Sequence, residues 1–294
     1  MSITGTVCAM VTPWNDQGQL DVAMTHRLAN WLADRGIDAL FVGGTTGEGI
    51  LLSEPERRTL TEEVIAAVGQ RVKILVQVGS ASTKETASLA AHAQQAGADG
   101  VAVLAPYYFA ADRLAMVRHF TTVAAAVPSL PVYLYNIPGN TRNPITPAIV
   151  ADVLAQTDNV AGIKDSAKDL VLLQKFLTFA DDRFSVLVGS DSVLLPGLAV
   201  GCVGGVSAAS TAFPEAVVAV VRAFAAGNLP TAQAAQAKLN SLLDVLKIGP
   251  TPAGYKAVLA LRGMNVGGVR GPLRSLTDEE RERLGAAFAN LDLA

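Results

Sequence analysis

Cysteine and histidine are scarce in this chain, and their scarcity removes several chemistries. Cys8 and Cys202 are the only cysteines among 294 residues. Both stand in apolar stretches, too few and too far apart for a disulfide framework or a thiolate zinc site, and a reducing cytoplasm is the expected setting. The only histidines are His26, His92 and His119. All fall in segments with helical periodicity, and no carboxylate or cysteine cluster has ligand spacing, so no metal is expected. A Ser/His/Asp triad is not expected either, because no histidine ends a candidate strand. Charged residues form only 17% of the chain and the net charge is −3. Without a run of like charges, nothing points to a nucleic-acid partner or a basic membrane patch. The opening "MSITGTVCAMVTPW" lacks the basic flank and cleavage pattern of a signal peptide. Residues 192–214, "SVLLPGLAVGCVGGVSAASTAFP", are free of charge over the length of a membrane span. Their glycines, serines and internal Pro196 predict a helix, a tight turn and a buried strand instead.

What is abundant is apolar sequence, half of all residues. Eight short apolar runs recur: "GTVCAMVTP" near the start, then residues 39–44, 72–79, 100–106, 131–136, 160–164, 184–190 and 204–210. Longer segments of helical periodicity separate them, such as "SEPERRTLTEEVIAAVG", opening with a capping residue and closing near a glycine. Near-continuous apolar strands argue for a parallel sheet covered by helices. Eight strand-helix units predict a (β/α)8 TIM barrel over residues 1–227, in preference to a doubly wound sheet. Residues 228–294 read as a C-terminal three-helix extension.

In such a barrel, reactive groups stand at the C-terminal ends of strands and in the loops that follow. The "GGTTGEG" turn after strand 2 offers backbone N–H groups around Gly44 and the hydroxyls of Thr45 and Thr46, suited to a carboxylate or phosphate. It lacks the Gly-Lys-Ser/Thr of a P-loop, and a plain strand-to-helix turn is the alternative. Glu48 reads as a brace for the loop. Strand 6 ends in Lys164, and a free lysine, pKa ~10.4, is neutral in only about one copy in 2,500 at pH 7. Burial in an apolar barrel mouth raises that fraction and prepares an amine to attack a ketone. For an isolated lysine the plainer reading is an ion pair with Asp165 or Asp191. Tyr135, ending neighbouring strand 5, shifts the balance, since a phenol beside a carbinolamine relays protons. Lys168 has the spacing of a solvated helix surface. The loops after strands 7 and 8, with Gly189 and Val206, suit a phosphate or a small keto acid.

Taken together, "GGTTGEG", "PYY", "YNIPGNT", "GIKDS", "GSD" and "GPTPAGYKAVLALRG", in that order, resemble the dihydrodipicolinate synthase and N-acetylneuraminate lyase family of class I aldolases. The resemblance spans essentially the whole chain. It implies that Lys164 forms an imine with pyruvate, with no separate cofactor, and that Tyr135 is the proton relay. Thr45 and Thr46 would bind the carboxylate and connect the relay. Tyr108 would enter a neighbouring subunit's site in a homotetramer, a dimer of dimers, and the Val206 carbonyl would face the site. One position departs from the pattern. Synthases that use aspartate semialdehyde carry an arginine clamp where this chain has Asn140, although Arg142 follows in the same loop. The paired threonines also differ from the serine-threonine usual in sialic-acid lyases. The implied activity is a pyruvate-dependent aldolase or lyase for 2-keto-3-deoxy or hydroxy-oxo acids, with an aldehyde as second partner. The alternative is a 4-hydroxy-tetrahydrodipicolinate synthase with a changed clamp. An imine-using dehydratase or decarboxylase and a non-catalytic keto-acid-binding barrel are further rivals.

Overall fold

A computed structural model of the chain describes residues 3–291. All eight apolar runs form strands: β1 (Gly5–Ala9), β2 (Ala39–Val42), β3 (Lys73–Gln77), β4 (Gly100–Leu104), β5 (Val132–Asn136), β6 (Val160–Asp165), β7 (Ser185–Val188) and β8 (Gly204–Ser207). They pair in parallel and in sequence order, and β8 closes onto β1. The fold is a TIM barrel.

Several strands are shorter than the apolar runs that predicted them. β2 stops at Val42 because Gly43 turns the chain at φ +67°, a conformation open to glycine. β8 stops at Ser207 and passes into a 3₁₀ turn at Ala209–Thr211. The helix read from "SEPERRTLTEEVIAAVG" begins at its predicted cap, Ser53. Asp21, Ser53 and Ser82 accept hydrogen bonds from the backbone N–H groups of Met24, Glu56 and Glu85, and Ser53 forms a full capping box with Glu56. The charge-free stretch at 192–214 holds the short helix Leu194–Ala199, β8 and that 3₁₀ turn. No helix among the described residues is long and apolar enough to cross a membrane. Three helices, Leu229–Leu246, Ala253–Leu261 and Asp278–Ala289, follow the last barrel helix, Pro214–Ala225.

Strand alternation divides the core in two. Val7, Phe41, Leu75, Tyr133, Tyr135 and Leu187 fill the barrel interior, whereas the outward residues of the same strands pack beneath the helices. One irregularity governs which layer receives Lys164. Val132 of β5 pairs with Val160, but the next residue, Tyr133, pairs with Gly162, so β6 carries one extra residue at Ala161. With uninterrupted pairing Lys164 would oppose the outward Asn136. The bulge puts it opposite the inward Tyr135 instead. A Cβ at Gly162 would lie 2.4 Å from the Ser185 carbonyl oxygen and 2.8 Å from the Tyr133 ring, so the bulge depends on glycine there.

Candidate active site

Leu104, Tyr135, Lys164 and Leu187 form one inward row across β4 to β7. Lys164 is only 4% exposed. Its Nζ lies 4.1 Å from the centre of the Phe41 ring and 3.9 Å from that of Tyr135. Neither candidate carboxylate forms the ion pair considered above. Asp165 accepts from Asn136 Nδ2 at 2.6 Å, and Asp191 accepts from the Ala209 backbone N–H at 3.1 Å. Burial therefore pushes the Lys164 pKa below the ordinary lysine range, while Tyr135 and, through space, Asp191 oppose the shift. The result is an amine poised toward its neutral, nucleophilic form.

The Tyr135 phenol reaches Thr45 Oγ1 at 3.2 Å, across from β5 to the turn after β2. The ring is held edge-on to Phe41, with centres 5.6 Å apart. Gly44 makes room for this arrangement, since a Cβ there would come within 2.4 Å of the Phe41 ring. Thr46 is buried in the same turn. Glu48 sits in the left-handed region at φ +57°, its carboxylate accepting from Trp14 Nε1 at 3.1 Å and from the Arg270 N–H at 2.7 Å.

A cavity of about 520 Å3 adjoins this cluster, within the range of small-molecule sites. Thr45 is on its wall, with Asn140, Tyr107 and the apolar Ile50, Ile137 and Leu273, and among the described residues no lysine or arginine lines it. Asn140 belongs to the short helical turn Pro138–Thr141. That loop is tied to the barrel where Asn136 Oδ1 accepts the Ile145 N–H at 2.9 Å. Arg142 caps the turn at φ +63°, exposed and off the cavity wall. Gly189 joins the ends of β6 and β7. Its N–H donates to Asp165 O at 2.7 Å, and a Cβ would strike Ser166 Oγ at 2.1 Å. Val206 is buried in the inner core, on β8.

The structure thus brings Lys164, Tyr135 and Thr45 together and puts Asn140 on the adjoining cavity. It does not bring Tyr108 to the site of its own chain. Tyr108 is 88% exposed, at φ +77°, with its ring edge-on to Phe109. Asn143 holds that loop, donating from Nδ2 to Pro106 O and Phe109 O at 2.8 Å each and accepting the Ala111 N–H at 3.0 Å. Asn136 and Gly162 lie within the "YNIPGNT" and "GIKDS" motifs, but their roles, like that of Asn143, were not readable from sequence, because their partners become neighbours only in the closed barrel.

A parallel eight-stranded barrel with an unpaired buried lysine at a strand end, beside a phenol and a hydroxyl, is the layout of a lysine-dependent carbon–carbon lyase. The chain belongs to the dihydrodipicolinate synthetase family, whose model matches residues 2–291. An uncharacterised DapA-like lyase of Halobacterium salinarum is 41% identical over 100% of this chain and 95% of that protein. The crystal structure of dihydrodipicolinate synthase DapA-2 from Bacillus anthracis superposes with a TM-score of 0.94 at 35% identity, covering 99% of each chain. Escherichia coli K12 YagE, a prophage protein of the dihydrodipicolinic acid synthase family solved in complex with pyruvate, gives 0.94 at 31% identity over the full length of both. The chain is accordingly a class I, Schiff-base-forming lyase.

Proposed function

We propose that Lys164 is the imine-forming residue, that pyruvate is the keto acid it captures, and that the second partner is an uncharged aldehyde. The neutral amine adds to the C2 ketone, and the Tyr135 phenol, backed by Thr45, carries the protons that turn the carbinolamine into imine and water. The protonated imine then accepts electrons from C3. In cleavage the C3–C4 bond breaks to release an aldehyde and leave an enamine. In condensation the enamine attacks the aldehyde, and water returns to free the product and Lys164. Thr45 and Thr46 hold the carboxylate, Gly44 and Gly189 keep the backbone close around it, and the Val206 carbonyl faces it. The exposed Tyr108 completes the site of a second copy in a tetramer.

The observation that carries this reading is a buried, aromatic-enclosed Lys164 with no carboxylate partner, over the ring of a Tyr135 whose phenol reaches Thr45. The acceptor class follows from the cavity, whose walls hold, among the described residues, no cation to pair with a carboxylate or phosphate. Asn140 stands where a clamp arginine would serve aspartate semialdehyde, which disfavours the synthase reading. A panel of 2-keto-3-deoxy acids assayed for pyruvate release tests the proposal. Acids that yield uncharged aldehydes should turn over at least tenfold more efficiently than phosphorylated or dicarboxylate analogues. The reverse order would reject an uncharged acceptor.

A further inference from the structure

Glu48 and Lys256 form an ion pair at 2.6 Å with side chains 0% and 2% exposed. Lys256 belongs to the second helix of the C-terminal extension, Ala253–Leu261, and Glu48 to the turn that carries Thr45. The lysine's remaining donors go to Thr12 O at 2.8 Å and Gly268 O at 2.5 Å, which accounts for all its N–H groups. Glu48 is equally occupied, taking Trp14 Nε1 and the Arg270 N–H besides Lys256. The turn is then fixed from several directions. Thr12 Oγ1 donates to Gly47 O at 2.5 Å, the Glu48 N–H to Thr45 O at 3.1 Å, and the Gly49 N–H to Gly44 O at 3.0 Å. A Cβ at Gly49 would fall 1.7 Å from Gly43 O, so the turn has no slack.

A buried pair of this kind is weak evidence for stability, because desolvation offsets most of the attraction. It does impose one geometry on the backbone it joins. That backbone ends at Thr45 Oγ1, 3.2 Å from the Tyr135 phenol. From this we infer that Glu48 and Lys256 are positioning residues through which the C-terminal extension sets the Thr45 hydroxyl against Tyr135. The inference rests on the reading of Thr45 as part of the proton relay. Misplacement of a relay hydroxyl by about 1 Å lowers turnover on the order of 100-fold, whatever keeps the chain folded.

The test is a double-mutant cycle on the full-length enzyme. Glu48→Gln with Lys256→Met removes both charges together, so that neither is left buried alone, and it is combined with Thr45→Val. The readouts are the thermal midpoint, kcat and KM for pyruvate release, and the rate of borohydride trapping of the pyruvate imine. With Thr45 present, loss of the pair should lower kcat and the trapping rate by about 10- to 100-fold. In the Thr45→Val background the same change should cost less than about threefold, because the group it positions is gone. An equal loss in both backgrounds, or no loss in a folded double variant, overturns the inference. Thr45→Val alone separates the two claims, since its failure to slow turnover rejects the reading of Thr45 and not merely its support. Should the double variant not fold, Glu48→Asp, which keeps the charge and shortens its reach by one methylene, is carried through the same cycle with the same criteria.

Discussion

Replacing Tyr135 with phenylalanine removes one oxygen from the site and little else. The ring keeps its edge-on contact with Phe41 and its place beneath the Lys164 ammonium. The lost hydrogen bond is a single contact of 3.2 Å to Thr45, a residue open to solvent that can bond to water instead. Stability should therefore fall by no more than about 1 kcal/mol. The lysine's ionisation should move in the favourable direction, since Tyr135 holds the Lys164 pKa up against burial and its loss lets it fall further. If amine protonation limited the rate, Tyr135→Phe would be faster near neutral pH. If the phenol is the relay, loss of general acid–base catalysis lowers kcat by roughly 100- to 10,000-fold, about 3 to 5 kcal/mol of barrier. Steady-state pyruvate release, with calorimetric unfolding of both proteins, distinguishes the cases. A variant within fivefold of wild type, or one whose lost activity tracks a large drop in Tm, would refute the relay role.

Gly162→Ala should destabilise the fold by about 1 to 3 kcal/mol, because its Cβ meets the Ser185 carbonyl and the Tyr133 ring at once. Activity should fall with it as the bulge that aims Lys164 relaxes, and an unchanged denaturant midpoint would show that the bulge needs no glycine. Asn140→Arg supplies a charge-assisted donor to the cavity wall, worth about 1.5 to 3 kcal/mol, so kcat/KM for aspartate semialdehyde should rise roughly 10- to 150-fold. No change in semialdehyde use would remove the basis for assigning the acceptor by residue 140. Burial raises the Asp165 pKa to about 6, so the fold favours its protonated form. That preference is fully present below pH 4 and is lost as pH rises through about 6, leaving a cost near 3 kcal/mol at pH 8. Asp165→Asn, neutral throughout, should gain stability relative to wild type from pH 4 to pH 8. Any constant offset from the new amide leaves that slope intact, and parallel stability curves would show that Asp165 does not titrate in this range.

The barrel was legible because its strands are short apolar runs and helices such as Glu54–Val68 announce their start with a capping side chain, here Ser53. Lys164, Tyr135 and Thr45 could be found by their place at strand ends, where this architecture exposes side chains. The inward aim of Lys164 was not legible. Strict alternation from Val160 would have sent it outward, and the bulge at Ala161 becomes visible only in the pairing with β5. The bracing role of Glu48 could be guessed from its turn, but not its partner, for Lys256 stands at the other end of the chain with an unremarkable helical spacing. The left-handed Tyr108 was hidden for a similar reason, since it depends on Asn143 bonding to two carbonyls of the preceding loop.

The most direct measurement is mass analysis of the intact protein after incubation with pyruvate and borohydride. Wild type should gain one reduced pyruvate per chain, mapped by peptide digestion to Lys164, while Lys164→Arg gains none. An adduct on another lysine such as Lys168 or Lys256, or an unmodified wild type that still releases pyruvate from its substrate, would contradict the account.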